Sequence, residues 1–173
     1  IDKIFIEDNY FLKSLQSDIK FKKNNLVNLD LSGNFADNKK LVLSIRTNEN
    51  NEKITTLFAE NAKPLVKKYK FIKGFEGGYL DFYSIKKNNL SKSKLKINDF
   101  KLKEVPALTK ILTLASLQGI ADLLTGEGIR FDEFEMNFEN KKNLMTINEI
   151  YSIGPAISIS MEGYVDGKNL VSL

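Results

Sequence analysis

The chain has no histidine and no cysteine among its 173 residues. These two absences remove the commonest general base, the thiol nucleophile, every disulfide and nearly all zinc and iron sites. Only carboxylate ligands or carboxylate acid–base pairs would remain for catalysis. We therefore expect a protein that is not an enzyme, with no catalytic residues, no metal and no cofactor.

The chain also lacks an apolar run long enough to form a membrane-spanning helix, and no signal peptide is visible. The stretch 107–124 comes nearest, but Lys110, Gln118 and Asp122 interrupt it. Strand-like patterns run up to both ends of the sequence. We expect residues 1–173 to be one fragment of a longer protein whose targeting segment lies elsewhere.

Lysine is abundant, and it is unevenly distributed. Residues 1–105 hold 21 Lys/Arg against 13 Asp/Glu, whereas residues 106–173 hold 5 against 9, within a net charge of +4. A basic half favours an anionic partner such as nucleic acid or anionic lipid. The lysines stand singly or in pairs beside asparagine, however, which AT-rich coding also produces. Both interpretations stay open at this point.

Nucleic-acid binding would require exposed aromatic side chains among the lysines. The nearest match is the segment with Tyr79, Phe82, Tyr83 and Lys86. Its aromatic residues fall on both faces of one strand, so at least one set is expected to be core. We therefore expect no nucleic-acid partner.

The dominant pattern is the two-residue alternation of short antiparallel strands, so the fold is expected to be mainly β. The pattern predicts antiparallel strands over 1–60, a short helix plus two strands over 61–105, and a helix plus three strands over 106–173. One predicted strand takes its apolar face from residues at every second position, namely Ile54, Thr56 and Phe58.

Two predicted strands change phase part-way along. The apolar residues before and after Asn98-Asp99 share a face only if one extra residue is inserted there, and the same holds at Asp132-Glu133. Such an insertion is the mark of a β-bulge, which bends and twists a strand. We therefore expect a strongly curved antiparallel sheet built of long, bulged hairpins.

Two segments are expected to be helical. Asn61 can cap a short helix near 62–70, in which Pro64 occupies the first turn. A longer segment near 107–124 is apolar around most of its circumference, which a helix with one water-facing side would not need. Gly119 is expected to kink it or break it in two.

The acidic residues after the second helix could be read as a metal or acid–base cluster. In a strand, however, Glu133, Glu135 and Glu139 face away from Phe134 and Phe138. We expect a solvated polar face.

The strands are many and the helices few, so part of an apolar sheet face lacks an obvious cover. Two interpretations follow from the pattern alone. A second sheet layer could close an ordinary core, or the face could bind an apolar ligand such as an acyl chain.

The C-terminal part of the chain resembles the C-terminal region of AsmA-like proteins, in particular their long YhdP-type branch. That family shows a stretch P-x-L-x-x-x-L-x-L-A-S-L-x-G-x-x-D-x-L-x-G-x-G-I-x-F, followed by a G-P pair and, further on, by G-x-x-D. The matching residues here are Pro106, Leu108, Leu112, Leu114, Ala115, Ser116, Leu117, Gly119, Asp122, Leu124, Gly126, Gly128, Ile129, Phe131, Gly154, Pro155, Gly163 and Asp166.

The resemblance implies a segment of a bridge-like lipid-transfer protein. Such proteins are anchored in the inner membrane of Gram-negative bacteria and are implicated in carrying phospholipid across the periplasm to the outer membrane along an apolar groove. The anchor would lie outside this fragment. The alternative is a structural module that supports outer-membrane protein biogenesis, bound to envelope proteins and not to lipid.

On the lipid-transfer interpretation, two groups of residues become candidates. The lipid-facing positions are expected to be Ile129, Phe131, Phe134, Met136, Phe138, Ile157, Ile159, Met161, Leu95, Ile97, Phe100 and Leu102. The helix near 107–124 is expected to cap the groove or to dock beside it, through Leu108, Ile111, Leu112, Ala115, Ile120 and Leu124. The alternative is that it is a buried core helix.

Overall fold

A computed structural model describes residues 3–7, 10–67, 74–103, 128–166 and 171–172. Within these ranges the chain forms one eleven-stranded antiparallel sheet whose strands lie in sequence order, with the first and last strands at its edges. The strands are β1 Lys3–Glu7, β2 Tyr10–Lys22, β3 Asn25–Phe35, β4 Lys40–Thr47, β5 Lys53–Ala59, β6 Phe75–Lys87, β7 Leu90–Leu102, β8 Ile129–Lys141, β9 Leu144–Ile153, β10 Ser158–Val165 and β11 Val171–Ser172. The prediction of a mainly β, antiparallel fold is confirmed.

The helical predictions find little support in the described residues. One helical turn, α1, covers Lys63–Val66; the backbone N–H of Lys63 bonds the side-chain oxygen of Asn61 at 3.2 Å. The rest of the predicted helix 62–70 lies outside the described residues beyond Lys67. The segment 107–124 lies outside them entirely, so that helix stays a prediction.

Two strand assignments need correction. Ile54, Thr56 and Phe58 lie on the polar face of β5, because Phe58 pairs with Asp81 while Leu57 pairs with Phe82. Each possible face of β5 contains one threonine and two apolar residues, so the sequence did not show which face is buried. The C-terminal part has four strands and not three, since the short strand β11 pairs with the end of β10.

Tight hairpin turns place non-glycine residues in the left-handed region. Lys23 and Asn24 join β2 to β3 with φ of 49° and 60°, Asn88 begins the β6–β7 turn at 53°, and Lys142 lies in the β8–β9 turn at 55°. Asparagine tolerates this region better than most residues.

A kink crosses three neighbouring strands at one level. On one side of the kink, Asn98 pairs with Tyr79 and Glu133. On the other side, Phe100 pairs with Gly77 and Phe131. One residue of each strand lies between these two sets of pairs. The residues stepped over are Gly78, Asp99 and Asp132. Because all three strands carry the insertion together, pairing resumes in register while the apolar residues stay on one face. The predicted phase breaks in β7 and β8 are therefore confirmed. Gly77 and Gly78 lie inside β6.

The kink depends on backbone conformations that favour glycine. Gly78 has φ +76°, and a Cβ there would lie 3.2 Å from Ile97 Cγ2 and 3.2 Å from Phe100 Cβ. We expect Gly78→Ala to lower the free energy of unfolding by about 1–3 kcal/mol. Asp99→Gly, at φ 54° in the adjacent strand, is the matched control and should not destabilise. Urea titrations would measure both; equal losses in the two variants would contradict this account of the kink.

The sheet is curved around an apolar face. The turn α1 contacts both β1 and β6, which are five strands apart in the sheet, and the Ala62 N–H bonds the Gly78 carbonyl at 2.8 Å. One hydrophobic cluster joins residues from β2 to β8 beneath α1: Leu12, Phe35, Leu41, Ala59, Ala62, Val66, Phe75, Leu80, Ile97, Phe100, Ile129 and Phe131. The core therefore fills one end of the curved sheet.

Candidate functional site

The apolar face is organised in rows that cross the strands. Paired residues in an antiparallel sheet share a face, so the register defines each row directly. The row nearest the kink is mostly buried and is called the buried row: Gly33, Leu41, Ala59, Leu80, Ile97, Phe134, Ser152 and Ile159. The next row, one step towards the hairpin turns, is called the apolar row: Leu31, Leu43, Leu57, Phe82, Leu95, Met136, Ile150 and Met161.

The apolar row is continuous and only partly covered. It has one apolar side chain on each of eight successive strands; Ile150 is buried, Met161 is 38% exposed, and the other six are half-buried. With strands about 4.8 Å apart, the row is about 34 Å long. The hydrocarbon of a bilayer, two acyl chains end to end, is about 30 Å thick. The row can therefore accommodate at least one extended acyl chain along its length.

The twelve predicted lipid-facing residues all lie on this apolar face, but they differ in exposure. Ile97, Phe100, Ile129 and Phe131 are at most 6% exposed and belong to the core of the chain itself. They support the floor of the face and do not line it. The residues that stay partly accessible are Leu95, Leu102, Phe134, Met136, Phe138, Ile157, Ile159 and Met161.

Sequence reasoning missed five of the eight residues of the apolar row, including Ile150 in β9. Leu31, Leu43, Leu57 and Phe82 lie in the N-terminal strands and were not among the candidates. The alternation of β3 and β4 was a usable signal, but nothing in the sequence showed that their leucines would align with Leu95. The predicted cap residues Leu108, Ile111, Leu112, Ala115, Ile120 and Leu124 lie outside the described residues.

The opposite face carries an ionic network centred on Glu135. Its carboxylate accepts bonds from Lys94 Nζ at 2.6 Å, Lys96 Nζ at 3.0 Å, Asn137 Nδ2 at 3.0 Å and the Tyr151 hydroxyl at 3.1 Å. These groups leave Glu135 only 4% exposed. The expectation of a solvated face is therefore wrong for Glu135, because lysines from β7 and a tyrosine from β9 fold over it.

The network sets the charge states of its members. Burial raises the pKa of Glu135, but the bonds from Lys94, Lys96, Asn137 and Tyr151 lower it more, to about 2. Hydrogen bonds to Glu133 and Glu135 raise the pKa of Lys96, and the same two carboxylates raise the pKa of Tyr151 to about 12. Glu135 therefore stays ionised, Lys96 stays protonated and the Tyr151 hydroxyl keeps its proton at neutral pH, so the network is suited to holding strands together and not to moving protons.

A shallow recess of about 310 Å³ lies across β4 to β7, and most of its lining residues are on the polar face: Val42, Thr56, Leu57, Phe58, Asp81, Phe82, Tyr83, Lys94 and Lys96. Its two lysines are already paired with Glu133 and Glu135, so it offers little free charge to a ligand. Among the described residues there is no group of three or more metal-type ligands. No helix in those same ranges is long and apolar enough to span a membrane.

Comparisons with protein-family models, with curated proteins and with solved structures found no significant match.

Proposed function

We propose that this chain is a non-catalytic segment of a lipid-carrying protein, with the apolar face of the curved sheet as its groove. The observation that supports this most is the apolar row, a partly exposed line of apolar side chains that crosses eight strands without a charged residue. Proteins in water rarely leave such a contiguous apolar surface uncovered unless it binds something.

The energetics suit an acyl chain. Each methylene transferred from water to an apolar surface contributes about 0.8 kcal/mol, so a sixteen-carbon chain gains on the order of 10 kcal/mol when fully buried. A row of half-buried side chains covers such a ligand on one side only. The ligand would thus be held without being locked in place, as a conduit requires.

The route between the membranes belongs to the same proposal. The resemblance of residues 106–166 to AsmA-like proteins supports a periplasmic location in a Gram-negative bacterium, phospholipid as cargo and an inner-membrane anchor elsewhere in the full-length protein. The curved antiparallel sheet is compatible with that architecture.

The test exploits two adjacent residues that point to opposite faces of β6. Phe82 lies in the apolar row, whereas Tyr83 is 44% exposed on the polar face. After incubation with phospholipid vesicles and re-purification, we expect Phe82→Glu to retain at least tenfold less lipid than the wild type, because a carboxylate in the row must be desolvated beneath the acyl chain. Bound lipid would be measured by extraction and mass spectrometry.

The control is Tyr83→Glu, which adds the same charge one residue away and should retain lipid like the wild type. Thermal unfolding would check that both variants fold, and Met136→Glu replaces Phe82→Glu if the latter unfolds. A folded apolar-row variant that keeps its full complement of lipid would refute the groove.

A further inference from the structure

The apolar face changes character from the buried core towards the hairpin turns. Beyond the apolar row lies a mixed row containing three hydroxyls, namely Leu29, Ile45, Thr55, Ser84, Ser93, Phe138, Ile147 and Gly163. The next row, called the rim row, is polar in its centre: Thr47, Lys53, Lys86, Ser91, Asn140, Met145 and Val165. Rows are about 7 Å apart along a strand, so the rim row lies about 14 Å from the apolar row.

Two lysines of the rim row face each other directly. Lys53 and Lys86 are cross-strand partners between β5 and β6, and neither forms an ion pair within the described parts of the chain. Like charges directly opposite in a sheet destabilise it. An anion bound between the two ammonium groups would remove this repulsion.

The two faces of the sheet differ in whether their lysines are paired with glutamates. On the polar face, lysines of β7 are matched by glutamates of β8, as in the 3.2 Å pair between Lys92 and Glu139. In the apolar, mixed and rim rows, by contrast, the register places no aspartate or glutamate at all. Within the described residues, no carboxylate of these three rows therefore neutralises the rim lysines on the side where the apolar row lies.

The rim also has a shape that suits a small anion. A recess of about 290 Å³ lies between the β6–β7 and β8–β9 turns, lined by Lys86, Asn89, Ser91, Asn140 and Lys142. Its lining offers two ammonium groups, a hydroxyl and two amides, all of which can donate hydrogen bonds. Lysine binds phosphate as a compact point charge, and donors of this kind complete the shell of phosphate oxygens.

We propose that this rim recess, together with Lys53, binds the phosphate of an anionic phospholipid whose acyl chain lies on the apolar row. The inference rests on the proposed function and adds the class of lipid to it. The mixed row lies between chain and phosphate, where its hydroxyls, including the Ser84–Ser93 pair at 2.9 Å, can contact the polar glycerol region. The order apolar, hydroxyl, ammonium on the protein matches the order chain, glycerol, phosphate in the lipid.

The test measures preference between two lipids. The chain is incubated with vesicles of equal parts phosphatidylglycerol and phosphatidylethanolamine, re-purified, and its bound lipids are quantified. One lysine near an anionic lipid contributes about fivefold in affinity. We expect the wild type to enrich phosphatidylglycerol at least fivefold, and the triple variant Lys53→Gln, Lys86→Gln, Lys142→Gln to bind both lipids nearly equally with the total amount unchanged.

The control triple variant is Lys20→Gln, Lys39→Gln, Lys40→Gln, which removes the same charge from exposed positions away from the recess and should keep the preference. If the rim variant does not fold, the wild-type preference should fall when salt rises from about 0.05 to about 0.5 M, because the Debye length shortens. Three results would overturn the rim site but leave the groove. They are equal uptake of both lipids by the wild type, a preference for phosphatidylglycerol that survives in the folded rim variant, and a preference that does not change with salt. Uptake of neither lipid overturns both.

Discussion

Replacing Phe131 with alanine is expected to lower the free energy of unfolding by about 3–5 kcal/mol. Phe131 is 2% exposed, and its ring stacks on Phe100 with the ring centroids 5.2 Å apart. Phe100 in turn stacks on Phe75 at 5.2 Å. The substitution removes the end of a three-ring stack that joins β6, β7 and β8 beside the kink, and it leaves a cavity that the backbone cannot close.

The control is Phe21→Ala, which truncates a phenylalanine that is 64% exposed near the β2–β3 turn. Its loss should stay within about 0.5 kcal/mol, since a surface side chain has little burial to forfeit. Chemical denaturation monitored by circular dichroism measures both variants. Similar losses at the two positions would mean that the three-ring stack is not the centre of the core.

Replacing Glu135 with glutamine is expected to cost about 2–3 kcal/mol at neutral pH. The substitution keeps the shape of the side chain but leaves Lys94 and Lys96 without the carboxylate that they share. Both lysines are partly exposed and can turn to water, which places the loss below that of a fully buried pair. The matched control is Glu139→Gln, which breaks the exposed pair with Lys92 and should cost within about 0.5 kcal/mol.

The lowered pKa of Glu135 predicts that the chain loses stability at acid pH. Its pKa is about 2 in the folded chain, against an ordinary value of 4.5. Between these values the unfolded chain binds a proton that the folded chain does not, so a fall in pH favours unfolding. The contribution, about 3 kcal/mol from the size of the shift, is complete above about pH 4.5 and is lost as the pH falls towards 2. Urea midpoints measured from pH 7 to pH 2 should converge for wild type and Glu135→Gln; parallel curves would contradict the assignment.

The strands and the phase breaks in two of them were accessible from the sequence for a simple reason. Strand alternation is a local signal, and the phase breaks at Asp99 and Asp132 are visible because the apolar residues on both sides of each break are large. The kink needed no knowledge of strand order to be predicted. The structure was needed to show that Gly78 is also part of the kink, because a glycine has no side chain by which its face can be recognised.

The phase of β5 shows where local signals fail. Its sequence, KITTLFA, allows either Ile54 and Phe58 or Leu57 and Ala59 to face the core. Pairing with Leu43 on one side and Phe82 on the other selects the second set. Neighbouring strands, and not intrinsic propensity, decided the orientation of this strand.

The lysines illustrate the same limit. The sequence shows Lys-Lys-Asn three times, at 22–24, 86–88 and 141–143, and composition alone explains such clusters as well as function does. In the sheet, all three lie at hairpin turns on the same side. Only this placement distinguishes Lys86 and Lys142, which line a recess beside the apolar face, from Lys94 and Lys96, which hold Glu135.

Composition and two-residue alternation are properties of the chain alone, and they suffice to predict an antiparallel β-protein without histidine or cysteine chemistry. The folded arrangement of the strands decides which apolar residues form a continuous row and which glutamate is buried. It also decides which lysines lack a carboxylate partner among the described residues. Those properties depend on the register between strands, which aligns residues up to about 130 positions apart, such as Leu31 and Met161, and no local pattern encodes that alignment.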